Sequence, residues 1–186
     1  MYKPEFYISV DVETAGPNPG RYAMLSIGAC AVAEPGRTFY IELQPDRDAS
    51  QPEALAISGL KMDELAQNGK PPKEAMQAFA NWLDEVTPPD HWPVFVAFNA
   101  PFDWMFVADY FHRYLGHNPF GHAALDIKAY YMGTRGVLWS ETGFDKVTEY
   151  YRIKHPLSHH ALQDACDQAM VFRKMLAEAK ETQENN

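Results

Sequence analysis

Cysteine is scarce. Two residues, Cys30 and Cys166, cannot build a disulfide framework, and both lie in apolar stretches. They suit small buried side chains in a reducing compartment, so a cytoplasmic protein is expected. Long hydrophobic runs are also missing. The most apolar stretch, YAMLSIGACAVA, is too short to cross a bilayer and contains a serine, so no membrane partner is expected. Lys3, Pro4 and Glu5 interrupt the N-terminus, and no signal peptide is read there. Basic charge is in deficit: 16 Lys and Arg stand against 25 Asp and Glu, for a net charge of −9. Tight, non-specific grip on a duplex needs a basic face, and this chain is poorly suited to it. Phosphates held through divalent cations remain compatible with an acidic chain. Internal repeats and low-complexity blocks are absent.

An apolar content of 46% in 186 residues is enough for one domain with a real core. Residues 1–180 are read as that domain and 181–186 as a polar tail. Phe6, Ile8, Val10 and Val12 alternate with Tyr7, Ser9, Asp11 and Glu13, which predicts a strand with both acids on one face. A second strand is expected over 23–33, where Gly28 suggests close approach by a neighbouring element. Phe39, Ile41 and Leu43 mark a third. Helices are expected over 52–57, 71–86, from Pro101, near Ala129, over 144–151 and at the C-terminus. Short strands fall at VFVAF and AALDI. Strands first and helix–strand–helix later indicate a mixed α/β domain.

The acidic residues raise a physical question. Asp11 and Glu13 repel each other at the end of an apolar strand. Asp103 follows another buried strand in FNAPFD, and Asp164 lies near the start of the last helix in HHALQDACD. Each alone has an ordinary cause: a strand end meeting solvent, or an acid favoured by a helix dipole. Asp167 could be a solvated neighbour. Together, four carboxylates from otherwise apolar segments are unfavourable without cations. Magnesium prefers oxygen ligands and accepts substrate phosphate as a partner. Two such ions about 4 Å apart clamp phosphodiester cleavage by activating water and stabilising the leaving oxygen. His159, five residues before Asp164, is a candidate base at the helix lip. A loop histidine is also ordinary polar surface, and His160 stands beside it.

The order D-x-E, N-A-x-F-D and H-x-A-L-x-D, from Asp11 to Asp164, resembles the DEDDh group of 3′–5′ exonucleases. DVETAG, QPEALAISGL and HNPF further resemble ribonuclease T within that group. The resemblance implies a ribonuclease H-like fold, a mixed five-stranded sheet flanked by helices. It implies two divalent cations, Mg2+ or Mn2+, held by Asp11, Glu13, Asp103 and Asp164, with His159 rather than His160 as base. It places backbone near Thr14 and the side chain of Leu25 against the terminal nucleotide, and has Asn99 orient the second acidic motif. It implies a homodimer acting on single-stranded RNA or DNA 3′ ends, with RNA favoured.

Stacking is the sequence-tolerant way to hold a base. Phe102, Trp104, Phe106, Phe120 and Trp139 are candidates; Phe102 and Phe106 read equally as core, and Phe120, in a loop, is the preferred contact. Lys128, Arg135, Lys146, Arg152 and Lys154 could track a backbone or simply form a charged face. A catalytically silent nucleic-acid- or protein-binding module of the same fold is the other reading.

Overall fold

The alternating segment forms the central strand of a five-stranded sheet. The computed structural model describes residues 3–153 and 158–184. The strands are β1 (Glu5–Thr14), β2 (Met24–Ala31), β3 (Thr38–Glu42), β4 (Trp92–Ala97) and β5 (Ala124–Asp126), in the order β3-β2-β1-β4-β5. The first three form an antiparallel meander, as their short links require, while β4 and β5 run parallel to β1. The helices are α1 (Pro52–Ser58), α2 (Met62–Asn68), α3 (Pro72–Val86), α4 (Ala100–Leu115), α5 (Ile127–Arg135), α6 (Phe144–Tyr150) and α7 (Ala161–Glu184). The expected mixed sheet flanked by helices is present. α2 is an addition; it buries only Leu65, too little to leave a periodic stripe. α7 carries the polar C-terminal segment on as helix to Glu184. Lys154 lies outside the described residues.

Helices cover both faces of the sheet. Ile8, Val10, Val12, Ile27 and Ala29 face α3 and α4, where Phe79, Phe106, Tyr110 and Phe111 complete the larger core. The other face meets α5 and α7 through Cys30, Val96, Ile127, Val171 and Phe172. Cys30 is buried and Cys166 half-buried, both as free thiols. Phe120 belongs to the first core. It is 2% exposed and packs against the rings of Phe79, Phe95 and Phe111. The Asn118 side chain accepts from the Phe120 N–H at 3.1 Å, and Gly121 takes φ +80°, so the turn directs the ring inward. The preference for Phe120 as a base contact is therefore corrected. Phe106 is core, and Trp104 packs edge-on against Phe95.

A polar anchor ties α4 to the meander. Tyr110 Oη accepts from Met24 N at 2.8 Å and donates to Asp46 Oδ1 at 2.6 Å. Asp46 also accepts from Tyr114 Oη and from Arg113. Met24 stands opposite Thr14, where the β1–β2 register shifts between Glu13 and Thr14. The anchor therefore holds the bulge beside the acidic pair.

Gly28 meets α7 as the sequence suggests. A Cβ there would lie 2.1 Å from the Ala161 carbonyl carbon and 2.2 Å from Leu162 N. Gly28 is also the cross-strand partner of Asp11. The start of α7 thus rests directly on the strand beside the acid. Gly28→Ala forces backbone from backbone, an overpacking of about 1–3 kcal/mol. It is expected to lower Tm by about 3–10 °C in thermal unfolding; an unchanged Tm would show that α7 does not rest there.

Candidate active site

β4 stops pairing with β1 at Ser9, four residues before Glu13. The strand end beyond it is therefore open to side chains from both helical layers. α4 enters from one face: Asp103 Oδ1 accepts from Val12 N at 3.1 Å. α7 enters from the other and brings Asp164 over Asp11 and Glu13. Oxygens of Asp11, Glu13 and Asp164 lie within 4.8 Å of one another. Asp11, Glu13, Asn99, Phe102, Asp103, His159 and Asp164 line one cavity of about 170 Å³.

Each acid is oriented by donors. Asp164, 3% exposed, accepts from Ser158 N at 2.7 Å, Ser158 Oγ at 3.0 Å and His159 N at 2.9 Å. Asp11 accepts from Gln168 Nε2 at 2.7 Å, and Gln168 Oε1 accepts from Phe98 N at 2.8 Å. Sequence reasoning missed Gln168. Its signal was its place one turn after Asp164 on the same helix face. Asp167 is 2% exposed and accepts from Gln163 Nε2 at 3.0 Å, so the solvated reading is corrected.

His159 is exposed and takes φ +54°. Its N–H is committed to Asp164, and the residue lines the cavity. His160 is differently engaged: its ring stacks on Tyr40 at 4.6 Å, and its carbonyl accepts from Asp164 N as α7 begins. Asn99, exposed and left-handed, precedes α4 and lines the cavity. Its side chain does not cap α4, and Asp103 takes its cross-element support from Val12 N. Thr14 is buried, with Oγ1 donating to the Gly16 carbonyl at 2.9 Å. Leu25 is completely buried with Ala15, Tyr22, Ala23 and Leu65, away from the cavity lining. Its expected role as a wedge against a base is corrected, because β2 is buried along its whole length.

The acids disfavour their own charge. Burial, then Asp103, Glu13 and Asp164, hold the Asp11 carboxyl well above its usual range despite the Gln168 donor. Burial and the charges of Asp164 and Asp103 push Glu13 up to about 8. Burial raises Asp103 to about 7, against the donors of Val12 and its own backbone. A cluster of hard oxygen donors that resists ionisation alone fits divalent cations, which neutralise it.

Acids from a strand and two helices, meeting at the edge of this mixed sheet, are the arrangement of a DEDDh-type 3′–5′ exonuclease in a ribonuclease H-like fold. The chain belongs to the Rv2179c-like family: the model described as a 3′-5′ exoribonuclease Rv2179c-like domain matches residues 7–176. It is 45% identical over 169 residues to the Escherichia coli protein named 3′-5′ DNA exonuclease Cap18, covering 91% of this chain and 90% of that one. It is 31% identical over 127 residues to Ribonuclease T of Baumannia cicadellinicola subsp. Homalodisca coagulata, covering 62% of this chain and 58% of the relative. The nuclease domain of 3′hExo, solved with rAMP, has the same fold, with a TM-score of 0.77 and 14% identity over 94% of this chain and 93% of the other. Among the described residues, no helix is long and apolar enough to cross a membrane.

Without metal, the raised carboxyls fix a sign. The folded state holds protons that the unfolded chain has released, so stability falls as pH rises. The window runs from about 4.5 to about 8, the ordinary and raised values for Glu13. Urea midpoints of the metal-free protein are expected to fall across it, with a shallower slope for Glu13→Gln. A midpoint that rises with pH over this window would contradict the cluster's electrostatics.

Proposed function

We propose that the protein removes nucleoside 5′-monophosphates one at a time from the 3′ end of single-stranded nucleic acid. The observation that carries this reading is the meeting of Asp11, Glu13 and Asp164 within 4.8 Å beside Asp103. These four residues would hold two divalent cations, Mg2+ or Mn2+. When bound, such ions supply Lewis-acid activation of water and charge neutralisation at the phosphate.

The chain's own residues do the rest. His159 takes a proton from the attacking water as the water oxygen bonds to phosphorus. The bond from phosphorus to the 3′ oxygen of the preceding nucleotide breaks, and that oxygen leaves as a hydroxyl with a proton from solvent. Two features support His159: it lines the cavity, and its backbone is pinned to Asp164. Stacking on Tyr40 gives His160 an anchoring role instead. Gln168 fixes the orientation of Asp11. Thr14 leads into the closed turn after β1, the expected seat of the terminal hydroxyl. The presence of all four acids and the histidine around one cavity speaks against a silent module.

The resemblance to ribonuclease T favours RNA, and the family description names an exoribonuclease. The 45% identical relative is named for DNA, and brings DNA forward as a substrate of equal standing. A homodimer is part of the same reading, through the family resemblance.

End-labelled RNA and DNA strands run in parallel test the proposal. Stepwise shortening from the 3′ end is expected in magnesium or manganese and none in EDTA. A 3′-phosphate is expected to block and a 5′-phosphate to have no effect. Internal cuts, or full activity in EDTA, would overturn the reading. His159→Ala is expected to lower kcat by about 10²–10⁴-fold, the usual range for a lost general base, and His160→Ala far less. A near-normal His159→Ala enzyme beside an inactive His160→Ala enzyme would reverse the assignment.

A further inference from the structure

With Phe120 and Leu25 in the core, the upstream bases of a strand need another surface. The large exposed aromatics among the described residues are Trp92, Trp139 and Tyr150. Trp92 opens β4 opposite Glu5, at the far end of the sheet from the acids. Tyr150 carries Arg135 over its ring and donates to Glu178. Trp139 differs from both. It is 52% exposed in a one-turn 3-10 helix, Trp139–Glu141, next to Leu138, which is 71% exposed.

That turn is rigidly held. Glu141 Oε2 accepts from Leu138 N at 3.1 Å, so its acid is turned onto the backbone. Thr142 Oγ1 donates to the Trp139 carbonyl at 2.8 Å, and Lys146 Nζ donates to the Ser140 carbonyl at 3.3 Å. Two links join the turn to the acidic end of the sheet. On one side, Lys128 Nζ lies 4.4 Å from the Trp139 ring centroid. Lys128 is in the first turn of α5, just after Asp126, which pairs with Ala97 at the end of β4. On the other side, Phe98 lines the acidic cavity and meets Phe144 edge-on at 5.0 Å, three residues past Glu141.

We propose that Trp139, with Lys128 and Lys146, is a stacking platform for the single-stranded substrate upstream of the nucleotide being removed. The proposal rests on the exonuclease reading above. Charge complementarity selects the occupant. The chain is strongly acidic, yet neither lysine has a salt-bridge partner among the described residues, whereas Arg135 is paired with Glu178. With the Lys128 ammonium over one face, the half-exposed ring has its other face for a base, and the lysine offers the adjoining phosphate a cation. The turn that carries the ring is already held, so little backbone freedom is lost on binding. Stacking ignores the sugar and the base identity, so the platform serves RNA and DNA alike.

Cleavage kinetics of a single-stranded decamer and of a dinucleotide test this in wild type, Trp139→Ala, Trp139→Phe and Lys128→Ala. For the decamer, Trp139→Ala is expected to raise KM roughly tenfold, within the range for one lost base stack, with kcat unchanged. Dinucleotide kinetics are expected to change much less, because a dinucleotide leaves only one base upstream of the bond that is cut. Trp139→Phe restores most of the KM, and Lys128→Ala makes decamer binding less salt-dependent. An unchanged decamer KM, or an equal loss on the dinucleotide, overturns the platform. Fluorescence anisotropy of a labelled decamer in calcium gives a second arm independent of turnover. A wild-type protein that cleaves no strand defeats the exonuclease reading. Weaker decamer binding by Trp139→Ala would still support the platform in that case, and equal or absent binding rejects it.

Discussion

Repulsion among carboxylates is the constraint around which the rest of the molecule is arranged. Asp11, Glu13, Asp103 and Asp164 share one small cavity, and the raised carboxyl values of the first three show how reluctantly they do so. Nothing local to any one segment would gather them. They are gathered because β1, α4 and α7 are each committed to an apolar core elsewhere along their length. The cores supply the free energy that the acidic end lacks. Directional donors then decide which way each oxygen points: Val12 N for Asp103, Gln168 for Asp11, and the Ser158–His159 turn for Asp164. The last of these couples function to geometry. The same carboxylate that faces the other acids also holds the backbone of the candidate base.

Two contacts transmit the cores' rigidity to that end. The Tyr110–Asp46 anchor ties α4 to the strand pair at its register shift, beside Glu13. Gly28 lets the first turn of α7 rest on β2 next to Asp11. One contact is polar and works by saturating a backbone N–H; the other works by the absence of a side chain. Between them they set the spacing of acids that arrive on different layers.

Much of this was legible in the sequence, and the legible parts share a cause. Period-two alternation marked β1 because only alternate residues meet the α3–α4 core, and the same alternation put Asp11 and Glu13 together. Gly28 was readable because a glycine inside a strand gives up side-chain packing, a loss that close approach by a neighbour offsets. The acidic motifs stood out because acids are costly in apolar segments. The failures also share a cause. Phe120 lies in a loop, and loop position says nothing of which way a ring turns; Asn118 and Gly121 turned it inward. Leu25 was placed by analogy with relatives, while its burial beside Tyr22 and Leu65 depends on packing that no local pattern records. Gln168 carries no charge and no motif, so its place one turn after Asp164 was a weak signal beside its hydrogen bonds to two separate elements.

Gly28 separates the survival of a motif from the survival of an activity. Every carboxylate can stay in place, in order and at the right spacing along the chain, while a methyl group on β2 alters how far α7 stands from β1. A descendant of this protein could thus retire its chemistry and keep its fold, its acids and its histidine. Inspection of those residues alone would still read it as an enzyme. Such a copy would differ from a working one at a residue that belongs to no catalytic motif.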